Sequence, residues 1–474
     1  MQFKQMFLPA VLAGGLAAAP SLVADEAADT IKDLRKQIEE LDQKVRIIER
    51  KTELDKESAS ERARTTALVS AGANGFSIRS ADTNFVLKLR GYIQADGRFY
   101  ADDHSAGTAN DTFLLRRVRP ILEGTVFEKY DFRLMLDFGS GVTASAANNS
   151  YVQDAYITAR FLPQFQVVAG KLKEPVGLER LQSGANLLFV ERGYPTQLAP
   201  NRDVGVQLQG DFDGPPGGSL VSYAVGAFNG VADGGSGDIE TSDDEKDVAA
   251  RIFAHPFKNT NVDALRGLGL GVAGTYGDQD GALRTFTSIG QQRFFGYLTS
   301  ATPATAPNVV ANGIHWRLAP QGYYYFGPFG VFGEYIISNQ EVQQAGADAG
   351  AGSFARLNHT AWQVAASYFL TGEENSFKAV TPKQPFRPAN DGWGAWEIAA
   401  RVGELDVDDD AFPIYASPAA SATKAFSWGV GLNWHLNKNL KVNLNYDQTD
   451  FKGGTTDLLA RGEKAIFTRA QISF

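Results

Sequence analysis

From Phe85 to Phe99 the chain alternates between two kinds of residue without a break. Phe85, Leu87, Leu89, Gly91, Ile93, Ala95, Gly97 and Phe99 fall on one parity, and Lys88, Arg90, Tyr92, Gln94, Asp96 and Arg98 on the other. A period of two is the mark of a β-strand with two unlike faces. Strands of soluble proteins usually run to about 5–6 residues, and this one is far longer. A tilted membrane strand needs roughly 9–11 residues, and in a membrane barrel the apolar parity meets lipid while the polar parity lines the lumen. The pattern is that of a protein turned inside out.

The same period predicts sixteen segments: 85–100, 112–127, 130–138, 150–161, 164–173, 203–213, 218–229, 245–257, 266–278, 314–326, 328–341, 355–372, 393–406, 423–436, 439–451 and 462–474. Their connections alternate between long and short. Glu128-Lys129, Leu162-Pro163, Gly214-Pro215-Pro216-Gly217, Gly327 and Asn437-Lys438 are short, whereas the stretches between them are long. Short turns at one end and long loops at the other are the asymmetry of an outer-membrane barrel. One connection, 373–392, is 20 residues where a short one is due; it holds either a missed strand pair or an insertion. The final strand puts Ile466, Thr468, Ala470, Ile472 and the terminal Phe474 on one parity. The expected fold is all-β: a sixteen-stranded antiparallel transmembrane barrel over 83–474.

The N-terminal 82 residues are a different material. Lys4 precedes the apolar stretch Phe7–Ala19, and Pro20–Ala24 reads as a cleavage region, so 1–24 is expected to be an export signal. Over 25–56, Ile31, Leu34, Ile38, Leu41, Val45 and Ile48 alternate spacings of three and four, an a/d heptad seam. About three heptads make a marginal lone helix, so a short coiled coil is expected. Residues 57–82 lose the heptad and read as a polar linker.

Composition narrows the function. A net charge of -9 opposes nucleic-acid binding, which needs a basic footprint. The absence of cysteine excludes thiol nucleophiles and cysteine-ligated zinc. The five histidines, His104, His255, His315, His359 and His435, show no partner pattern, and no nucleophile elbow is present. Neither an enzyme nor a cofactor is expected. His435 beside Trp434 reads as part of an interfacial aromatic girdle.

An ordered set of short stretches resembles the phosphate-selective porins O and P of Gram-negative outer membranes. They are Leu115-Arg116-Arg117-Val118-Arg119-Pro120 with Leu122-Glu123-Gly124, Tyr130-Asp131-Phe132-Arg133, Asp154-Ala155-Tyr156-Ile157, and Gly170-Lys171-Leu172-Lys173-Glu174-Pro175. Then follow Glu191-Arg192 with Asn201-Arg202-Asp203-Val204-Gly205-Val206, Tyr368-Phe369-Leu370-Thr371-Gly372-Glu373, and Gly392-Trp393-Gly394-Ala395-Trp396-Glu397. The resemblance implies a sixteen-stranded homotrimeric porin in the outer membrane, often preceded by a coiled coil, here on the periplasmic side. It says less about the solute.

The inward parity of the first five segments carries Lys88, Arg90, Arg98, Arg117, Arg119, Arg133, Arg160, Lys171 and Lys173 against Asp96, Glu123, Asp131, Asp137 and Asp154, an excess of +4 in an acidic chain. Rings of basic side chains favour anions, and the arginine fork suits phosphate-like oxyanions. Some of these charges brace the wall instead; Arg133 with Asp131 and Asp137, and Arg119 with Glu123, are expected pairs. Arg116 has the outward parity and is expected at a subunit contact. The 29-residue connection 174–202 carries Arg180, Arg192 and Arg202 around the apolar run Leu187-Leu188-Phe189-Val190. A solvated loop does not carry such a run, so the loop is expected to fold into the barrel and narrow it. The acidic stretches Asp243-Asp244-Glu245 and 406–410 read as outer surface or as divalent-cation contacts with lipopolysaccharide. The expected function is passive diffusion of small anions, phosphate or related oxyanions; the alternative is a general porin for small organic solutes.

Overall fold

A computed structural model describes residues 22–101, 110–139, 151–214, 218–239, 244–299, 308–345, 353–389 and 391–474. Most of the expected export signal, the tip Pro215-Pro216-Gly217 and Asp243 lie outside these residues. The chain divides into two compact units, Met1–Thr66 and Ala67–Phe474.

In the first unit α1 runs from Leu22 to Thr65. The stretch expected as linker from 57 is therefore helical for its first nine residues. Loss of the apolar seam does not end a helix: Glu57, Ala59, Glu61, Arg62 and Ala63 are good helix formers, and no Gly or Pro intervenes before the Thr65-Thr66 pair. Ile31, Leu34, Ile38, Leu41, Val45 and Ile48 are all exposed on this helix.

The rest of the expected linker is a hairpin of β1 (Leu68–Gly72) and β2 (Gly75–Arg79). The barrel strands follow: β3 (Val86–Tyr100), β4 (Thr112–Val126), β5 (Tyr130–Leu136), β6 (Val152–Leu162), β7 (Phe165–Lys173), β8 (Arg202–Phe212), β9 (Val221–Phe228), β10 (Asp247–Ala254) and β11 (Leu268–Ala282). A small pair, β12 (Phe286–Thr287) and β13 (Arg293–Phe295), lies in the next loop. The barrel resumes with β14 (Asn308–Phe326), β15 (Phe329–Ala345), β16 (Ser353–Phe369), β17 (Ala395–Asp406), β18 (Lys424–His435), β19 (Leu440–Lys452) and β20 (Glu463–Ser473). Each of these sixteen barrel strands, β3 to β11 and β14 to β20, overlaps one expected segment. Every one pairs antiparallel with its neighbours, and β20 closes on β3 from Tyr100↔Ala465 to Tyr92↔Ser473.

Closure is finished by the terminal residue. Gly91 and Phe474 exchange both backbone hydrogen bonds at 2.9 Å. A Cβ at Gly91 would sit 2.8 Å from the Arg119 carbonyl and 3.0 Å from the Phe474 ring, so only glycine lets the strands and the ring approach. Below this point β3 projects past β20, and β2 takes the freed edge from Phe76↔Leu89 to Arg79↔Val86.

The alternation holds almost throughout: Val248, Ile252, Leu270, Val272, Val430 and Leu432 are exposed on the outside while Asp247, Ala249, Arg317 and Asn433 are buried within. The outer aromatic girdle contains Trp396 stacked on Trp434 at 5.1 Å, with Phe386 against Trp434 at 4.9 Å. His435 is not part of it. The next residue along a strand faces the other way, and His435 points inward to Glu397 at 3.2 Å.

The wall is uneven in height. β5, β9 and β10 have 7, 8 and 8 residues, whereas β14, β15 and β16 have 19, 17 and 17. Among the described residues the connection between Phe369 and Ala395 contains no strand, so the long stretch at the short-turn end is an insertion and not a missed pair.

Candidate functional site: the lumen and its in-folded loop

The loop 174–201 leaves the long-loop end of β7 and crosses the lumen. Its apolar run supplies the driving force: Leu187, Phe189 and Val190 are each at most 2% exposed. The far wall then holds it by its backbone. Asn433 Nδ2 donates to the Leu188 carbonyl at 3.0 Å, Lys441 Nζ to Leu187 at 2.7 Å, and Gln471 Nε2 to Ala185 at 3.0 Å. Val190 N–H donates to Asn445 Oδ1 at 2.7 Å, and the Arg401 guanidinium lies 4.3 Å over the Phe189 ring. Leu178 and Glu179 N–H groups both donate to Glu334 on β15. The loop is thus seated against β15 and β17 to β20, and open space remains along the β3–β10 wall.

That space is a cavity of about 460 Å³ whose lining includes Tyr92, Arg119, Arg133, Asp154, Lys173, Arg202 and Arg251. It continues towards the short-turn end into a second, of about 430 Å³, past Lys88, Glu123, Arg133 and Arg160.

Of the sequence-derived site residues, Lys88, Arg119, Arg133, Lys173 and Arg202 line these two cavities, whereas Arg90, Arg98, Arg117, Lys171, Arg180 and Arg192 stand outside their lining. Most are ion-paired. Arg90 and Arg133 share Glu123 at 2.9 and 2.7 Å, Arg133 and Arg202 share Asp154 at 3.0 and 2.7 Å, and Arg119 takes Asp137 at 2.7 Å. Lys171 pairs with Asp238. Arg98 and Arg116 meet Glu191 at 3.0 and 2.6 Å, with Arg117 at 4.0 Å from the same carboxylate. Eight cations therefore share five carboxylates. Three expected pairings are corrected. Arg119 takes Asp137 and not Glu123, and Arg133 takes Glu123 and Asp154 and not Asp131 or Asp137, because partners are chosen across neighbouring strands rather than along one. Asp131 is matched with Arg160 at 2.7 Å.

Three further cations are held by neutral carbonyls, which satisfy donors without cancelling charge. Lys173 Nζ donates to Arg180, Leu181 and Gln182 at 2.6, 3.2 and 2.9 Å. Arg192 donates to Glu179 and Gln182 at 3.1 and 2.8 Å, and Arg180 donates to the Thr196 carbonyl. Burial pushes both loop guanidinium groups down, Arg180 to about 9 with Arg192 and Arg202 adding repulsion, and Arg192 to about 10. Both remain charged at neutral pH. Lys88 is exposed near the short-turn end.

Arg116 is the clearest correction. Parity sends it outward, but a β-bulge lies here: Gln94 pairs with Arg117 and Ala95 with Leu115, leaving Arg116 as the extra residue. A bulge places two residues opposite one and re-aims the side chain, and Arg116 turns inward to grip Glu191 with two hydrogen bonds of 2.6 and 3.1 Å. It is a loop anchor, not a subunit contact.

Sequence reasoning missed a second in-folded segment, within the described residues 283–299. Phe286, Phe294 and Phe295 are fully buried, and the Tyr100 hydroxyl donates to the Gly290 carbonyl at 2.8 Å across the lumen. The apolar pair Phe294-Phe295 in a long loop was the available signal, the same one that marks 187–190. Arg251 was missed as well, since it lies beyond the first five strands.

Comparison with known proteins agrees with this geometry. The family model of phosphate-selective porin O and P matches residues 87–474. Porin O of Pseudomonas aeruginosa is 24% identical over 390 residues, covering 78% of this chain and 84% of that protein. Among solved structures, the outer membrane channel DcaP of Acinetobacter baumannii superposes with a TM-score of 0.51 at 13% identity, covering 84% of this chain and 99% of that one, which shows the shared barrel fold. OmpT of Vibrio cholerae gives a TM-score of 0.49 at 13% identity, with 82% and 99% covered. The family match spans most of the chain, all of it in the barrel, and the protein therefore belongs to the phosphate-selective porin O and P family and is an outer-membrane porin.

Proposed function

We propose that this porin passes small anions by passive diffusion, phosphate and related oxyanions foremost, along the β3–β10 wall beside the in-folded loop. One observation carries the reading: eight cations share five carboxylates around the in-folded loop, while Lys173, Arg180 and Arg192 donate to backbone carbonyls and form no direct ion pair among the described residues. Positive charge beyond what bracing needs lowers the barrier for anions. Multivalent oxyanions gain more than chloride, because several donors engage one ion. The paired arginines keep the wall shaped, and the surplus sets the sign of the solute. Catalysis has no part in this reading.

The test is single-channel recording across a salt gradient with phosphate titrated in. The reversal potential is expected on the anion side, and phosphate is expected to reduce chloride current progressively without sealing the pore. A cation-selective native channel would hand the reading to a general porin.

The functional unit in this proposal is a homotrimer with its long loops outside and α1 in the periplasm. Strands of 7 and 8 residues fall short of the roughly 9–11 that span lipid, so the outer faces at β5 and at β9–β10 fit a protein neighbour better than hydrocarbon, while the tall wall of β14 to β16 meets lipid. The exposed Asp409 and Asp410 belong to the outer surface in this proposal, either solvated or in divalent-cation contact with lipopolysaccharide. The exposed seam of 25–56 suits a parallel coiled coil between the three subunits, but its few heptads contribute little beside a barrel interface. Deleting 25–56 is expected to leave a trimer on native gels; finding only monomers would make the helix the principal assembly element.

A further inference from the structure

The 370–394 insertion has no part in the anion path described above, yet it reaches into the barrel. Its Phe377 ring stacks on Tyr323 with centroids 5.4 Å apart and 19° between planes, and meets Phe332 edge-on at 6.4 Å. Tyr323 lies 5.1 Å from Phe253 in turn. Phe253, Tyr323 and Phe377 wall a cavity of about 480 Å³ at the short-turn end, which opens off the main pore at Arg251, a residue lining both spaces. Its size falls within the roughly 300–1,000 Å³ of small-molecule sites.

The charged side chains that line this cavity have one sign. Arg251, Lys258, Arg266 and Lys378 line it, and no carboxylate does. Arg266 is answered by Asp263 at 2.9 Å from outside the lining, whereas Arg251 and Lys378 have no ion pair among the described residues. Arg251 lies 4.6 Å over the Phe253 ring, and its buried Nε has no hydrogen-bond partner. His255 fixes the aromatic wall. Its Nδ1 donates to the Ser219 carbonyl at 2.7 Å, so its Nε2 accepts from the Tyr323 hydroxyl at 2.7 Å and locks that ring. Burial, together with the charges of Lys258, Arg251 and Lys378, pushes the imidazole below its usual value and keeps it neutral.

The geometry points to a side site for organic anions with a planar apolar body and one charged head, the body against Phe253, Tyr323 and Phe377 and the head on Arg251 and Lys378. The site deepens the anion-porin reading and rests on it: solutes enter by the same pore, and a second class of anion pauses here. Inorganic phosphate has no apolar body and gains nothing from the rings.

The experiment measures block of single-channel chloride current by benzoate, acetate and inorganic phosphate in turn. Benzoate is expected to halve the current at a concentration about tenfold below acetate, the scale of one aromatic packing interaction. Phe377→Ala should bring benzoate level with acetate while phosphate block stays within about twofold of the native value. Lys378→Glu changes an unpaired charge on the turn without altering the packing, and should weaken benzoate block about threefold even if Phe377→Ala fails to fold. Equal block by benzoate and acetate in the native channel, or a benzoate preference unmoved by these variants, overturns the proposal. A cation-side reversal potential would instead sink the underlying anion reading, and the benzoate-to-acetate ratio stays readable in that case.

Discussion

Replacing Glu191 with Gln is expected to unseat the in-folded loop and widen the pore. The Glu191 carboxylate is 3% exposed and stands among Arg98, Arg116 and Arg117, all within 4.0 Å. Removing its charge leaves three half-buried or buried guanidinium groups facing one another, and breaking a buried ion pair by deleting one partner costs about 3–5 kcal/mol. Single-channel conductance should rise and become noisy, and the midpoint of urea unfolding in detergent should fall. Unchanged conductance and midpoint would mean that the wall contacts of Leu187, Leu188 and Val190 hold the loop alone. The pH response has a defined sign. Burial raises the Glu191 carboxyl, but Arg116, Arg117 and Arg98 outweigh it and hold the group well below its usual range. Its contribution is therefore complete above the unfolded value of about 4.3 and is lost only as pH falls through the lower folded value. The native channel should keep its conductance through mild acid, to about pH 4.

Removing the charge of Arg180 and Arg192 together is expected to cut the anion preference several-fold. Both donate to backbone carbonyls, and Gln at each position removes the charge while leaving a shorter neutral side chain that carries an amide donor. A unit charge about 7 Å from a permeating ion in water contributes roughly 0.6 kcal/mol, close to threefold, and two charges about sevenfold. The anion-to-cation permeability ratio in dilute salt should fall by that order, and glutamate at both positions should move the reversal potential towards cations. The effect should fade near 1 M salt, where the screening length is about 3 Å. A ratio unmoved in dilute salt would show that these two arginines only brace the loop, leaving selectivity to the strand residues.

Much of the barrel could be read directly from the chain because lipid imposes a local rule. Every residue on a spanning strand faces either hydrocarbon or lumen, so Leu87, Leu89 and Ile93 against Lys88, Arg90 and Gln94 declare strand, face and length within a few residues. The in-folded loop was legible for a similar reason, since Leu187 to Val190 cannot rest in solvent.

The limits of that rule are equally physical. Parity survives only until a strand gains a residue, and the bulge at Arg116 moved a side chain from lipid to lumen through the pairing of β3 with β4. The helix past residue 56 and the β1–β2 hairpin were hidden because no seam or membrane face marks them. Which carboxylate answers which arginine is a matter of strand neighbours and loop reach. Arg116 finds Glu191 across 75 residues and Arg469 finds Asp96 across 373. The chain by itself determined the number of barrel strands, their inward and outward faces wherever no bulge intervenes, and an excess of basic residues on the inward parity of the first five, because these follow from nearest-neighbour alternation. Only the tertiary structure decided which charges are spent on bracing, where the open path runs, and that the 370–394 insertion walls a pocket. Each of those depends on distances between segments that the sequence keeps far apart.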